Sequence, residues 1–167
     1  MRNPAFAKLT DKELMTLTIY GEARGEKTPG RIAVGTVILE RVDHRNWDGK
    51  TIREVCLMKY QFSCYLENDP NYGKLLNIAE HWDESIIIDH ALQECFDIAA
   101  GLIDKTIPRT PIVNEKSICQ YVEKQYRLQI DKQAVVLSGK ERIKFDEKRW
   151  WIRMQLATTI GNHEFYA

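Results

Sequence analysis

Residues able to do chemistry gather in three short stretches. The first, "TIYGEARGEKTPG" (18–30), sets Glu22 between Gly21 and Gly25 and adds a second carboxylate at Glu26. A carboxylic acid that donates a proton near neutral pH must have its neutral form favoured. An apolar, partly dry wall does this by disfavouring the charge. Flanking glycines remove side chains and let a bulky substrate approach, which is a functional reason for two residues that each weaken a helix interior by about 1 kcal/mol relative to alanine. The structural alternative is that Gly21 and Gly25, four apart, let the following helix pack closely. Glu26 is either a second carboxylate on the Glu22 face or a solvated residue that favours the next helix N-terminus.

The second stretch, "QFSCY" (61–65), offers an amide, a hydroxyl, a thiol and two aromatics. Cys64 with a distant histidine would be a nucleophile, although a buried cysteine that only packs is the commoner use. The third, "GNHEFY" (161–166), offers His163 as a catalytic group, a substrate contact or a polar tie for the C-terminus. The histidines are His44, His81, His90 and His163, with no H-E-x-x-H and no Cys/His cluster. No metal and no cofactor are expected, and no phosphate-binding loop is present.

These residues need helices to hold them. Thr10 and Glu13 form a capping-box pattern ahead of a helix over about 11–25, with Leu14, Leu17 and Gly21 at helical spacing. Thr28-Pro29 opens a second helix that ends near Arg45. "RNWDGK" reads as a turn, and Thr51 and Glu54 cap a short helix after it. Residues 61–65 read as a short strand in an irregular loop. Asp83 and Ser85 are the caps expected for one long helix over 84–104, with Ile87, Ala91, Cys95, Ile98 and Leu102 along one side. Residues 114–130 fit a helix or a short hairpin. Two strands are expected within 133–145, and a last helix over about 147–159.

The 167 residues suggest one domain. Lys plus Arg and Asp plus Glu both number 24. This balance lacks the basic excess of a dedicated nucleic-acid binder, and "GKERIKFDEKRWW" (139–151) reads as a solvated face. No apolar run is long enough to cross a bilayer, and the start lacks the apolar region of a secretory signal. Synthesis in the cytoplasm and no membrane insertion are therefore expected. Cys56, Cys64, Cys95 and Cys119 contain no CxxC pair and read most simply as free thiols; Cys56 and Cys64 are the closest pair in sequence.

Taken together, "IYGEARGEKTPGRIAVGTVILERV", "QFSCY-ENDPN" and "TIGNHEFY" resemble the SleB/CwlJ-type cell wall hydrolases, well over 10–105 and moderately over 147–166. The resemblance implies a mainly α-helical α+β chain of the lysozyme-like, lytic-transglycosylase-like class with a small β element. It implies a single catalytic domain over 1–167 with an insertion at about 123–145. Glu22 would be the catalytic acid of an enzyme that cuts the β-1,4 bond of peptidoglycan. Tyr20, Glu26, Gln61, Phe62 and Ser63 would line the sugar groove; Asn162, His163 and Tyr166 would brace it. The family's G-A-x-H-Y-type stretch is nearest to "ICQYVE", which puts Tyr121 at the tyrosine position and Gln120 in place of histidine.

The implied partner is peptidoglycan, met as a monomer on the periplasmic wall, and the missing leader fits a phage endolysin. The rival readings are a muramidase with a second carboxylate, a Cys64/His peptidase of the peptide stems, and a non-enzymatic wall-binding virion protein.

Overall fold

The computed structural model describes residues 3–44, 49–110, 120–123, 127–128, 131, 156–160 and 163–166. The chain forms two compact units, Met1–Thr110 and Pro111–Ala167.

The first unit is helical and is built around one helix. α1 (Pro4–Lys8) opens on Asn3, whose side chain accepts the Ala5 N–H. α2 (Asp11–Ala23) opens on the expected capping box: Thr10 Oγ1 accepts from Glu13 N, and Glu13 Oε2 accepts from Thr10 N. From Leu14 to Gly21 every residue of α2 is buried. A helix covered on all sides is a central element. Its two threonines fit there because each hydroxyl donates to the carbonyl four residues earlier: Thr16 to Lys12 at 2.8 Å, Thr18 to Leu14 at 2.7 Å.

α3 (Thr28–His44) and α4 (Ile52–Leu57) pack on α2. Gly35 makes one crossing possible: a Cβ there would lie 2.5 Å from Leu102 and 3.1 Å from Ile19. Within the expected turn before α4, Gly49 takes φ 113°, a left-handed conformation that glycine adopts without steric penalty. Thr51 caps α4 through the Glu54 N–H at 3.1 Å.

Two local expectations fail in this unit. Residues 61–65 form no strand; Ser63–Tyr65 is a single 3-10 turn. The helix expected over 84–104 is two helices, α6 (Trp82–Ile88) and α7 (His90–Ile103), and α5 (Tyr72–Glu80) precedes them. The break falls at Asp89, which is extended and accepts the Leu92 N–H on Oδ1 at 3.1 Å. Asp89, not Asp83 or Ser85, therefore caps the helix that packs on α2. With the break, Ile87 turns outward and is 72% exposed.

The second unit carries a three-stranded antiparallel sheet of β1 (Gln120–Glu123), β2 (Leu156–Ile160) and β3 (His163–Tyr166), in the order β1-β3-β2. Residues 156–159, expected in the last helix, are strand instead. Their backbone groups pair with β3, with a register irregularity between Leu156 and Thr158. The strands expected within 133–145 lie outside the described residues.

Candidate active site

Glu22 stands at the end of α2, one residue before its last, and is half-buried. Its Oε1 accepts the backbone N–H of Cys64 at 3.1 Å. The 3-10 turn approaches this closely because Gly21 has no side chain. A Cβ there would lie 2.8 Å from Cys64 Cβ, 2.9 Å from Cys64 Sγ and 2.9 Å from Leu75 Cδ1. Gly21 is thus a packing glycine, but its partners are the 62–65 turn and α5 rather than the following helix. Gly25 has nothing within 4 Å of a built Cβ, so it does leave open space beside the end of α2.

The turn itself is anchored from below. Phe62 and Tyr65 are buried, and the Arg41 guanidinium lies 5.1 Å from the Phe62 ring centre. The Tyr65 hydroxyl meets Thr18 Oγ1 at 2.9 Å, and its ring packs edge-on against Phe6 at 5.0 Å. Ser63 is exposed, and Gln61, half-buried, donates to Met58 Sδ at 3.6 Å.

Burial pushes the Cys64 thiol well above its ordinary pKa, and the charge of Glu22 and a hydrogen bond with it push it further. A thiol in this setting is a poor source of thiolate. Cys56, Cys64 and Cys95 are all buried free thiols; Cys119 lies outside the described residues.

The loop after the turn adds groups that the sequence reading left out. Asn71 Nδ2 donates to Gly21 O at 3.4 Å, and Asp69 Oδ1 accepts the Asn71 N–H at 2.8 Å. This Asx turn, legible in "NDPN" as a turn, brings an amide to the Glu22 end of α2.

Tyr20 is buried, and its hydroxyl donates to Asp89 Oδ2 at 2.6 Å. Lys74 completes the cluster, 3.5 Å from Asp89 and 4.9 Å above the Tyr20 ring. Burial raises the Tyr20 pKa and the hydrogen bond to Asp89 adds to it. Burial also works to raise Asp89, but the Tyr20 hydroxyl, the Leu92 N–H and Lys74 outweigh it and hold the carboxyl below its usual value.

Arg31 closes the end of α2. It is buried, donates to Arg24 O at 2.6 Å and Ala23 O at 3.4 Å, and pairs with Glu94 on α7. A cation there satisfies terminal carbonyls and complements the negative end of the helix. Glu26 lies against the start of α3, where a Cβ on Gly30 would be 2.9 Å from its Cβ.

Tyr20, Glu22, Glu26, Gln61, Phe62 and Ser63 therefore all belong to the first unit, with Glu22 and the 62–65 turn in direct contact. Tyr121, His163 and Tyr166 belong to the sheet of the second unit, where His163 pairs with Glu123 and Ile160, Tyr166 with Gln120 and Leu156, and Tyr121 with Phe165. Asn162 lies outside the described residues. Among the described residues, no group of three His, Cys, Asp or Glu is placed to hold a metal ion, and no helix is long and apolar enough to cross a membrane.

Comparison with known proteins is consistent with this architecture. The chain is similar to the catalytic domain of the SleB protein of Bacillus cereus. The crystal structure of that domain shares 20% identity with a TM-score of 0.50, over 94% of this chain and 89% of that one. The likeness supports the mainly helical, lysozyme-like fold. No curated protein sequence matches the chain. The family described as Cell Wall Hydrolase matches residues 25–166, a range that begins just after Glu22 and spans both units. The chain belongs to the cell wall hydrolase family and is a peptidoglycan-degrading enzyme.

Proposed function

We propose that the chain is a glycosidase that cuts the β-1,4 bond between N-acetylmuramic acid and N-acetylglucosamine, with Glu22 as its catalytic group and a lytic transglycosylase mechanism. The observation that carries this reading is the Glu22–Cys64 contact. A half-buried carboxyl at a helix end is oriented by a fixed backbone N–H and lies beside the open space at Gly25.

In this mechanism Glu22 gives its proton to the glycosidic oxygen as the bond to the anomeric carbon breaks. The muramic 6-hydroxyl then attacks that carbon. Its proton returns to the Glu22 carboxylate and a 1,6-anhydro ring closes. Atoms balance without water, and one carboxyl serves both steps. The Cys64 N–H holds one carboxyl oxygen in a fixed position, so the same group is oriented for both steps. Ordinary glycosidases pair two carboxylates across the bond. Glu26, the runner-up second carboxylate, lies over Gly30 at the start of α3. The raised Cys64 pKa argues against a thiol peptidase. Gln61 and Ser63 belong to the groove wall in this reading; Phe62, buried against Arg41, holds the turn from behind rather than meeting the sugar, and Tyr20, also buried, supports the helix end through Asp89.

The test is mass spectrometry of muropeptides released from purified peptidoglycan by wild type and Glu22→Gln. Anhydro-muramic ends that disappear in the variant are expected. Reducing ends from water attack would replace the mechanism with a hydrolase. Products unchanged in the variant would remove Glu22 from the chemistry.

A further inference from the structure

A concavity that Glu22 does not line lies in the first unit. It has a volume of about 400 Å³ and is walled by the tyrosines Tyr60, Tyr65 and Tyr72, the amides Asn3 and Asn68, and the charged pair Lys59 and Glu67. That volume falls in the range of small-molecule sites. Its wall sets the apolar side chains of Leu57 and Leu66 beside those tyrosines and amides, and carries one residue of each charge. Such a wall suits a neutral ligand that presents hydroxyls and amides on some edges and an apolar face elsewhere.

Tyr60 adds an independent observation. Its ring is 72% exposed, and its backbone φ is 68°. Few non-glycine residues adopt that region, and such strain clusters at ligand clamps. Lys59 lies 4.9 Å from the ring centre and steadies it. The cavity is also covalently close to the Glu22 site. Tyr65 lines it, while the adjacent Cys64 donates to Glu22.

We infer that this cavity is a subsite for a neutral N-acetylated sugar unit of the glycan strand, distant from the cleaved bond, with Tyr60 as its aromatic platform. The inference rests on the glycosidase reading of Glu22. A polymer-cutting enzyme with such a subsite grips long strands better than short ones.

Two experiments on the full chain test it. Chitotetraose is titrated into Glu22→Gln protein and backbone resonances are followed by NMR; Tyr60, Asn68 and Tyr72 are expected to shift. Cleavage of long and short glycan fractions is then compared for wild type, Tyr60→Ala and Tyr60→Trp. Loss of one aromatic contact should reduce the long-over-short preference on the order of fivefold in Tyr60→Ala, and Tyr60→Trp should restore it. Asn68→Ala serves as a second variant should Tyr60→Ala be poorly folded. Unmoved cavity resonances, or an unchanged length preference in folded variants while Glu22→Gln is inactive, would overturn the subsite and leave the glycosidase reading standing. Resonances that shift with a free stem peptide and not with chitotetraose would overturn the sugar class. A Glu22→Gln protein as active as wild type would overturn the parent reading and this one with it.

Discussion

Glu22 and Cys64, 42 residues apart in sequence, meet through a 3.1 Å hydrogen bond from the Cys64 backbone N–H to Glu22 Oε1. The contact depends on the Cys64 main chain and on the absence of a side chain at Gly21. Side-chain changes at the two ends therefore have very different consequences. Glu22→Gln keeps the shape and removes the transferable proton. It should lower peptidoglycan cleavage on the order of a thousandfold with a thermal midpoint near wild type, measured by product release and calorimetry.

The two glycines beside Glu22 should separate cleanly. Gly21→Ala forces a methyl against Cys64 and Leu75 at under 3 Å, and such overpacking costs about 1–3 kcal/mol. It also pushes the Cys64 N–H away from Glu22, so activity should fall beyond the loss of stability. Gly25→Ala meets nothing within 4 Å and should leave denaturant stability within about 1 kcal/mol of wild type. A drop in its activity on polymer, at unchanged stability, would mark the Gly25 space as part of the substrate path.

Cys64 should behave as a packing residue. The residue is 1% exposed, and its thiol pKa is raised by burial, then by Glu22. Iodoacetamide at about pH 8 should leave it unmodified in the native protein, since the thiolate is the reactive form. Cys64→Ala keeps the main-chain donor and should retain most of the activity. Loss of all cleavage in a folded Cys64→Ala protein would revive the thiol mechanism.

The Tyr20–Asp89 pair predicts a pH dependence. Asp89 has a folded pKa below its ordinary value. Its contribution to stability is thus fully present above the unfolded value of about 3.9 and is lost as pH falls through the lower folded value. The stability gap between wild type and Asp89→Asn should be widest near neutrality and should narrow steadily in acid. Tyr20→Phe removes a hydrogen bond to a charged group and should cost about 2 kcal/mol near neutral pH, measured by urea unfolding.

Arg31 should matter more than the glutamate it meets. Arg31→Met removes two bonds to the α2 terminus, a loss of about 1.5–3 kcal/mol. Glu94, 64% exposed at its side chain, should cost under about 1 kcal/mol when changed to Gln.

Local chemistry was readable in the chain itself. The Thr10–Glu13 capping box, the Thr51 cap and the start of α3 at Thr28 each depend on residues within four positions of one another, and each appears as expected. So does the mainly helical class. Elements whose form depends on distant partners were not readable. Residues 61–65 look strand-like by composition, but Phe62 and Tyr65 fold into a turn because their rings are taken up by Arg41, Phe6 and Thr18. Residues 156–160 are strand because β3 supplies their backbone partners. Asp89 has the chemistry of an N-cap, but the apolar run on both sides hid the break it makes. Glu22 stood out from the sequence as a candidate. That Gly21 admits Cys64 against it, and that Asn71 and Arg31 close the same helix end, was decided by tertiary packing, because these partners lie from 7 to 50 residues away along the chain.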